Sequence, residues 1–180
     1  KCTFSSDDHN LVAFAQFRSS TEVEGSDLTE TEFDPQTDQV LGSPLLQRSN
    51  NDEGEETWLT RVDYVHPLGK DSKIEAGYFG SFRDVRNDYL VEEQDENGIW
   101  NSLEGLSNDI LYREQILAGY IQGGAKINKF SFQLGLRVEN TSISTELFNT
   151  GEVNDRTFLN PFPSVFLSYD IAEGQAIQTS

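Results

Sequence analysis

The side chains best suited to chemistry in this sequence are carboxylates in two dense groups: Asp52, Glu53, Glu55 and Glu56, then Glu92, Glu93, Asp95 and Glu96. Hard carboxylate oxygens suit Ca2+ or Mg2+, but neither group has the spacing or the closing bidentate glutamate of an EF-hand. Asp52, Glu53, Glu92, Glu93 and Asp95 are therefore weak calcium candidates, and loose cation association is the competing expectation. The two histidines, His9 and His66, stand near one end and beside Pro67 at an expected turn, with no evident partner. Gly69-Lys70-Asp71-Ser72 has the ending of a phosphate loop but not the Gly-rich run before it. A nucleophile elbow, an HExxH zinc motif and cysteine pairs are all missing. A single cysteine, Cys2, allows no internal disulfide framework. Asn140-Thr141-Ser142 fits a glycosylation acceptor at a strand end and is read as incidental. The expectation is no catalytic residue, no cofactor, and a chain that is not an enzyme.

The elements that position these groups are strands. Of 180 residues only 36% are hydrophobic, methionine is absent, and Val, Ile, Thr, Phe and Tyr dominate the apolar stretches. From Lys129 to Ser142, Phe130, Phe132, Leu134, Leu136 and Val138 alternate with Ser131, Gln133, Gly135, Arg137 and Glu139, the period of a two-faced strand. Ser72 to Arg83 repeats the pattern, with Phe79 as its exception. Further strands are expected at about 10–19, 56–66, 110–124, 159–169 and from about 175 onward. No run reaches the 18 or more apolar residues of a membrane helix, whereas a spanning barrel needs no such run.

The connections alternate long and short. Long loops are expected at 20–55, 84–109 and 144–157, and short turns at 66–71, 125–128 and 170–174. In an up-and-down meander all the long ones emerge at one rim, as in membrane barrels. Charge sorts the same way. Residues 21–56 hold eleven acids against one base, 84–109 eight against one, and 144–157 three against one, in a chain whose net charge is −18. The remaining strands and turns are thus close to neutral. A balance this acidic opposes binding to nucleic acid.

Nine residues from Phe130 to Val138 cover roughly 30 Å along a strand, or about 23 Å of height at a tilt near 40°, close to the apolar band of an outer membrane. Trp58, Phe82, Tyr112 and Phe158 fall on the long-loop side and Tyr64, Phe130 and Tyr169 on the turn side, as two interfacial girdles would. Gln133, Arg137 and Glu139 are then the lumen-facing candidates, and the long loops the ligand-capturing segments, of unknown specificity. A soluble all-β binding or adhesin-like module, with the same apolar faces forming a core, remains the alternative.

Three stretches, YREQILAGYIQ (Tyr112 to Gln122), FQLGLRVENTS (Phe132 to Ser142) and LNPFPSVFLSYDI (Leu159 to Ile171), resemble the barrel of TonB-dependent outer-membrane receptors, particularly the family common in Bacteroidetes. The resemblance covers Glu56 to Ser180 loosely, and nothing before. It implies residence in the bacterial outer membrane and uptake of a bulky nutrient such as an iron chelate, vitamin complex, glycan or peptide. The partners it implies are outer-membrane lipid, the TonB complex acting through a plug domain, and a surface lipoprotein. Residues 1–180 are then expected to be a partial barrel of about seven strands, an all-β antiparallel meander without the plug and the remaining strands.

Overall fold

The computed structural model describes residues 2–4, 9–172 and 174–180. They form one antiparallel sheet of nine strands: β1 (Cys2–Thr3), β2 (Asn10–Glu30), β3 (Leu45–Pro67), β4 (Ser72–Gln94), β5 (Trp100–Ser102), β6 (Asn108–Ile127), β7 (Phe130–Leu147), β8 (Glu152–Ala172) and β9 (Gln175–Thr179). Spatial order follows chain order, except that β5 pairs only with the top of β4, in line with β6. Among the described residues the first strands do not pair with the last, so the sheet is open. The expected meander is thus observed, with six strands of 18 to 23 residues and three short ones of two, three and five residues.

Neighbouring strands keep unbroken register from β2 to β8, so residues sharing a face follow directly from the pairing. On one face, Leu11, Ala13, Ala15 and Phe17 meet Tyr64, Val62, Thr60 and Trp58, which in turn meet Ala76, Tyr78, Gly80 and Phe82. Farther round, Ile121 meets Leu136, which meets Pro163, and Leu134 meets Val165. Among the described residues nothing covers this face. Leu134 is 54% exposed and Ile121 57%, and the only buried apolar residues among those described are Val91 and Ala118. A soluble sandwich would have packed this face into a core. Here it stays an exposed apolar belt.

The belt ends sharply. Phe17, Trp58 and Phe82 lie in one row across β2, β3 and β4, with 4.6 Å between the Phe17 and Trp58 rings. Two residues higher the same face carries Ser19, Glu56 and Asp84. At the turn end Tyr64, Phe130 and Tyr169 share the belt face, Phe130 and Tyr169 directly opposite each other. Leu159 to Tyr169 on β8 covers roughly 25 Å of height at ~3.3 Å per residue and a tilt near 40°. Tyr112 and Phe158, expected in the upper girdle, point to the other face, because each is one residue out of phase with the belt.

The long loops are the main difference from expectation. Most of 20–55, 84–109 and 144–157 is strand: β2 continues to Glu30, β3 begins at Leu45, β4 runs to Gln94, and only 148–151 separates β7 from β8. Strands of 21 and 23 residues rise roughly 50 to 60 Å, about twice the apolar band. Above the bilayer both faces are wet, so the ladder forms without any apolar period. Ion pairs help to hold it: Arg83 with Glu55 at 2.7 Å, Arg48 with Glu92 at 2.6 Å, and Arg86 with Asp109 at 3.0 Å.

The short turns fall where expected. Gly69 takes a φ of +86°, Asn128 opens a two-residue turn with a φ of +55°, and the third turn holds Glu173, which lies outside the described residues. Lys70, Lys73, Lys126 and Lys129, the lysines among the described residues, all stand at this end. At the opposite rim Asp34 and Asp95 build tight turns by accepting backbone N–H bonds, Asp34 from Gln36 and Thr37, Asp95 from Ile99 and Asn97. Those bonds hold both carboxyls below their usual 3.8. With the folded value depressed, their contribution is complete above about pH 3.8 and is lost as pH falls through the lower, folded value. The amide proton shifts of Asn97 and Ile99 should therefore move in acid and stay flat in Asp95→Asn. Identical titrations in the two proteins would refute this.

Candidate functional site: the polar inner wall

Opposite the lipid belt lies a polar face, and one cavity shows that it is concave. A space of about 540 Å3 at the turn end is lined together by Asn10 of β2, Val65 of β3, Lys73 of β4, Gly124 of β6, Gln133 of β7 and Phe166 of β8. Six successive strands can share a cavity only on the inside of a curve. Gln133, Arg137 and Glu139 all sit on this inner face and are half-buried.

Each is tied into a network. Gln133 donates to Gln122 Oε1 at 3.0 Å, Gln122 donates to Glu75, and Lys73 pairs with Glu75 at 2.5 Å. One rung up, Tyr120 reaches across β4 to donate to Asp63 Oδ1 at 2.7 Å, while Arg61 holds the other oxygen at 2.6 Å. The phenol ring passes over Gly77, where a Cβ would lie 2.4 Å from Tyr120 Cε1. Arg137 pairs with Glu139 at 2.9 Å and lies 5.7 Å from the centre of the Phe79 ring. Phe79, the exception in its strand's alternation, thus faces inward as the platform for a guanidinium. At bilayer depth the wall presents paired charges and amides, suited to water or a polar solute rather than lipid.

Above the bilayer the inner face changes character. A second cavity, about 740 Å3, is lined by residues that include Glu24, Ser49, Asn51, Asn87, Tyr89 and Asn108. Just above, the loop after β4 runs back along the edge of that strand, with Leu103 N–H bonded to the Val91 carbonyl and Ser107 Oγ accepting from Val91 N–H. None of these amides stood out in the sequence, because the strand period that would place them on one face fades where no face is apolar.

The weak calcium candidates are not brought together. Asp52 and Glu53 point to opposite faces, Glu92 is taken by Arg48, Glu93 accepts from Gln47 at 2.9 Å, and Asp95 is engaged in its own turn. Among the described residues no three His, Cys, Asp or Glu side chains form a group that could hold a metal ion. The histidines, by contrast, do meet. Tyr64 Oη lies 3.0 Å from both His9 Nε2 and His66 Nδ1, on the outer face at the lower girdle. The register of β2 against β3 makes that junction across 55 residues of sequence.

An apolar belt outside, a paired polar wall inside and strands that overrun the bilayer define the wall of a transmembrane β-barrel. The chain belongs to the outer membrane protein beta-barrel family, whose model matches residues 2–180, and its place is the outer membrane. Among solved structures it is similar to the crystal structure of the ferric citrate transporter FecA in the unliganded form, with 11% identity and a TM-score of 0.48. That similarity covers 91% of this chain and 25% of the transporter's. None of the curated proteins matches.

Proposed function

We propose that this chain is a stretch of the wall of a TonB-dependent receptor that takes up a bulky nutrient through a plugged barrel. The observation that carries the reading is the inner wall, whose half-buried amides and ion pairs suit a lumen filled by a plug domain and water. The membership in an outer-membrane barrel family and the open sheet also support it. An open edge in lipid leaves backbone groups unsatisfied at several kcal/mol each, so the strands belong to a larger closed ring. In this reading the tall outer rim captures ligand, a plug reached by TonB controls passage, and the work is binding and conformational change without covalent catalysis. Outer-membrane lipid contacts the belt, and a surface lipoprotein is the partner suited to the rim.

The test is uptake by cells expressing the whole protein. Deleting its gene should abolish growth on one class of large nutrient, and import should stop when TonB is deleted or the proton gradient is collapsed. Import that persists without TonB would overturn the reading.

A further inference from the structure

The outer cavity has a composition that the paired wall below it lacks. Glu24, Asn51, Tyr89 and Asn108 stand directly opposite one another across β2, β3, β4 and β6, so one straight row carries a carboxylate, two carboxamides and a phenol. Three strand spacings of about 4.8 Å make the row roughly 14 Å long. Asn87 Nδ2 donates to Asn51 Oδ1 at 2.7 Å. That bond fixes both amides and leaves Asn51 with its NH2 donors and Asn87 with its carbonyl acceptor to offer to a ligand. Tyr89 is 38% exposed. Among the described residues no lysine or arginine lines the cavity. Arg48, the cation nearest in sequence to this part of β3, points to the opposite face, where it pairs with Glu92 and lies 4.4 Å from the centre of the Trp100 ring.

We infer that this amide row is a binding site for neutral oligosaccharides. Adjacent donors and acceptors in a fixed plane match the paired hydroxyls of a sugar, and the exposed ring of Tyr89 offers an apolar surface to its C–H face. Glu24 adds a strong acceptor for a further hydroxyl. Glu22 and Glu53, facing each other one rung below, add negative charge with no cation lining the cavity to offset it. Phosphorylated ligands and carboxylate iron chelates are therefore repelled, and a neutral polyol is the class that uses every group present. The inference rests on the receptor reading and names the class of solute that the rim would capture.

The test uses the full-length protein in detergent, titrated by calorimetry with neutral hexasaccharides of glucose, mannose and xylose, and with ferric citrate and a sialylated oligosaccharide as acidic probes. Saturable binding is expected for at least one neutral probe and for neither acidic one. Tyr89→Ala and the pair Asn51→Ala with Asn87→Ala should each weaken it about tenfold or more. Asn50→Ala, one residue along β3 but on the outer face, should leave it unchanged. No saturable binding by the neutral probes, binding by an acidic one, or equal loss in Asn50→Ala overturns the inference. Sugar binding without TonB-dependent import would instead overturn the receptor reading and leave the site standing. Import of another nutrient without sugar binding would do the reverse.

Discussion

Leu134→Arg is expected to cost the inserted sheet about 2–4 kcal/mol, whereas Gln133→Arg, one residue earlier, costs about 1 kcal/mol or less. Leu134 lies in the middle of the belt, opposite Gly123 on one side and Val165 on the other, with more than half of its surface exposed to lipid. A guanidinium there has no partner and no water. Gln133 faces the inner wall, where Gln122 and the Lys73–Glu75 pair stand beside it and the new charge stays wet. The same side chain is therefore being placed on two sides of a sheet a few ångströms thick. Urea unfolding of the full-length protein in lipid vesicles measures the difference. Equal midpoints for the two variants would refute the assignment of faces.

The second large effect concerns the contact of Tyr120 with Gly77. Gly77→Ala would set a Cβ 2.4 Å from Tyr120 Cε1 and 2.7 Å from the Val62 carbonyl oxygen. The ring must leave, so the variant loses both the packing and the bond to Asp63, at about 2–5 kcal/mol. Tyr120→Phe keeps the packing and loses the bond to a carboxylate, at about 1.5–3 kcal/mol. Because Tyr120 and the added methyl compete for one space, Gly77→Ala should cost less in a Tyr120→Ala background than alone. The coupling expected is about 1 kcal/mol or more. The Val62 oxygen keeps the rescue partial. Strictly additive costs in the same vesicle assay would show that the ring does not depend on that glycine.

What the amino-acid order revealed follows the medium around each segment. Inside the bilayer one face meets hydrocarbon and the other does not, so Phe130 to Val138 alternate visibly, and the sequence alone separates their face from that of Gln133, Arg137 and Glu139. Turn residues such as Gly69 and Asn128 marked the lower rim equally well. Above the aromatic row the constraint vanishes. Glu22, Asn51 and Asn87 sit in continuous strands, but with water on both sides no period records it, and such segments look like loops. Tyr112 and Phe158 depart from the expected girdle by parity, since a shift of one residue reverses a strand's faces. The meeting of His9 and His66 at Tyr64, and the amide row from Glu24 to Asn108, depend on register between strands distant in sequence. No local pattern carries that information.

The height of the outer rim also bears on how such a wall is put in place. In the receptor reading, with the tall rim outside the cell, everything from Ser19 to Glu56 has to cross the apolar layer before β2 and β3 settle with Phe17 and Trp58 at its edge. That passage takes eleven carboxylates past hydrocarbon, more than any other rim segment holds, and each ionised side chain is strongly disfavoured there. The crossing is accordingly slow to undo. Once threaded, the hairpin would meet the same cost on the way back, so in that reading its own acids oppose a return of the rim through the membrane.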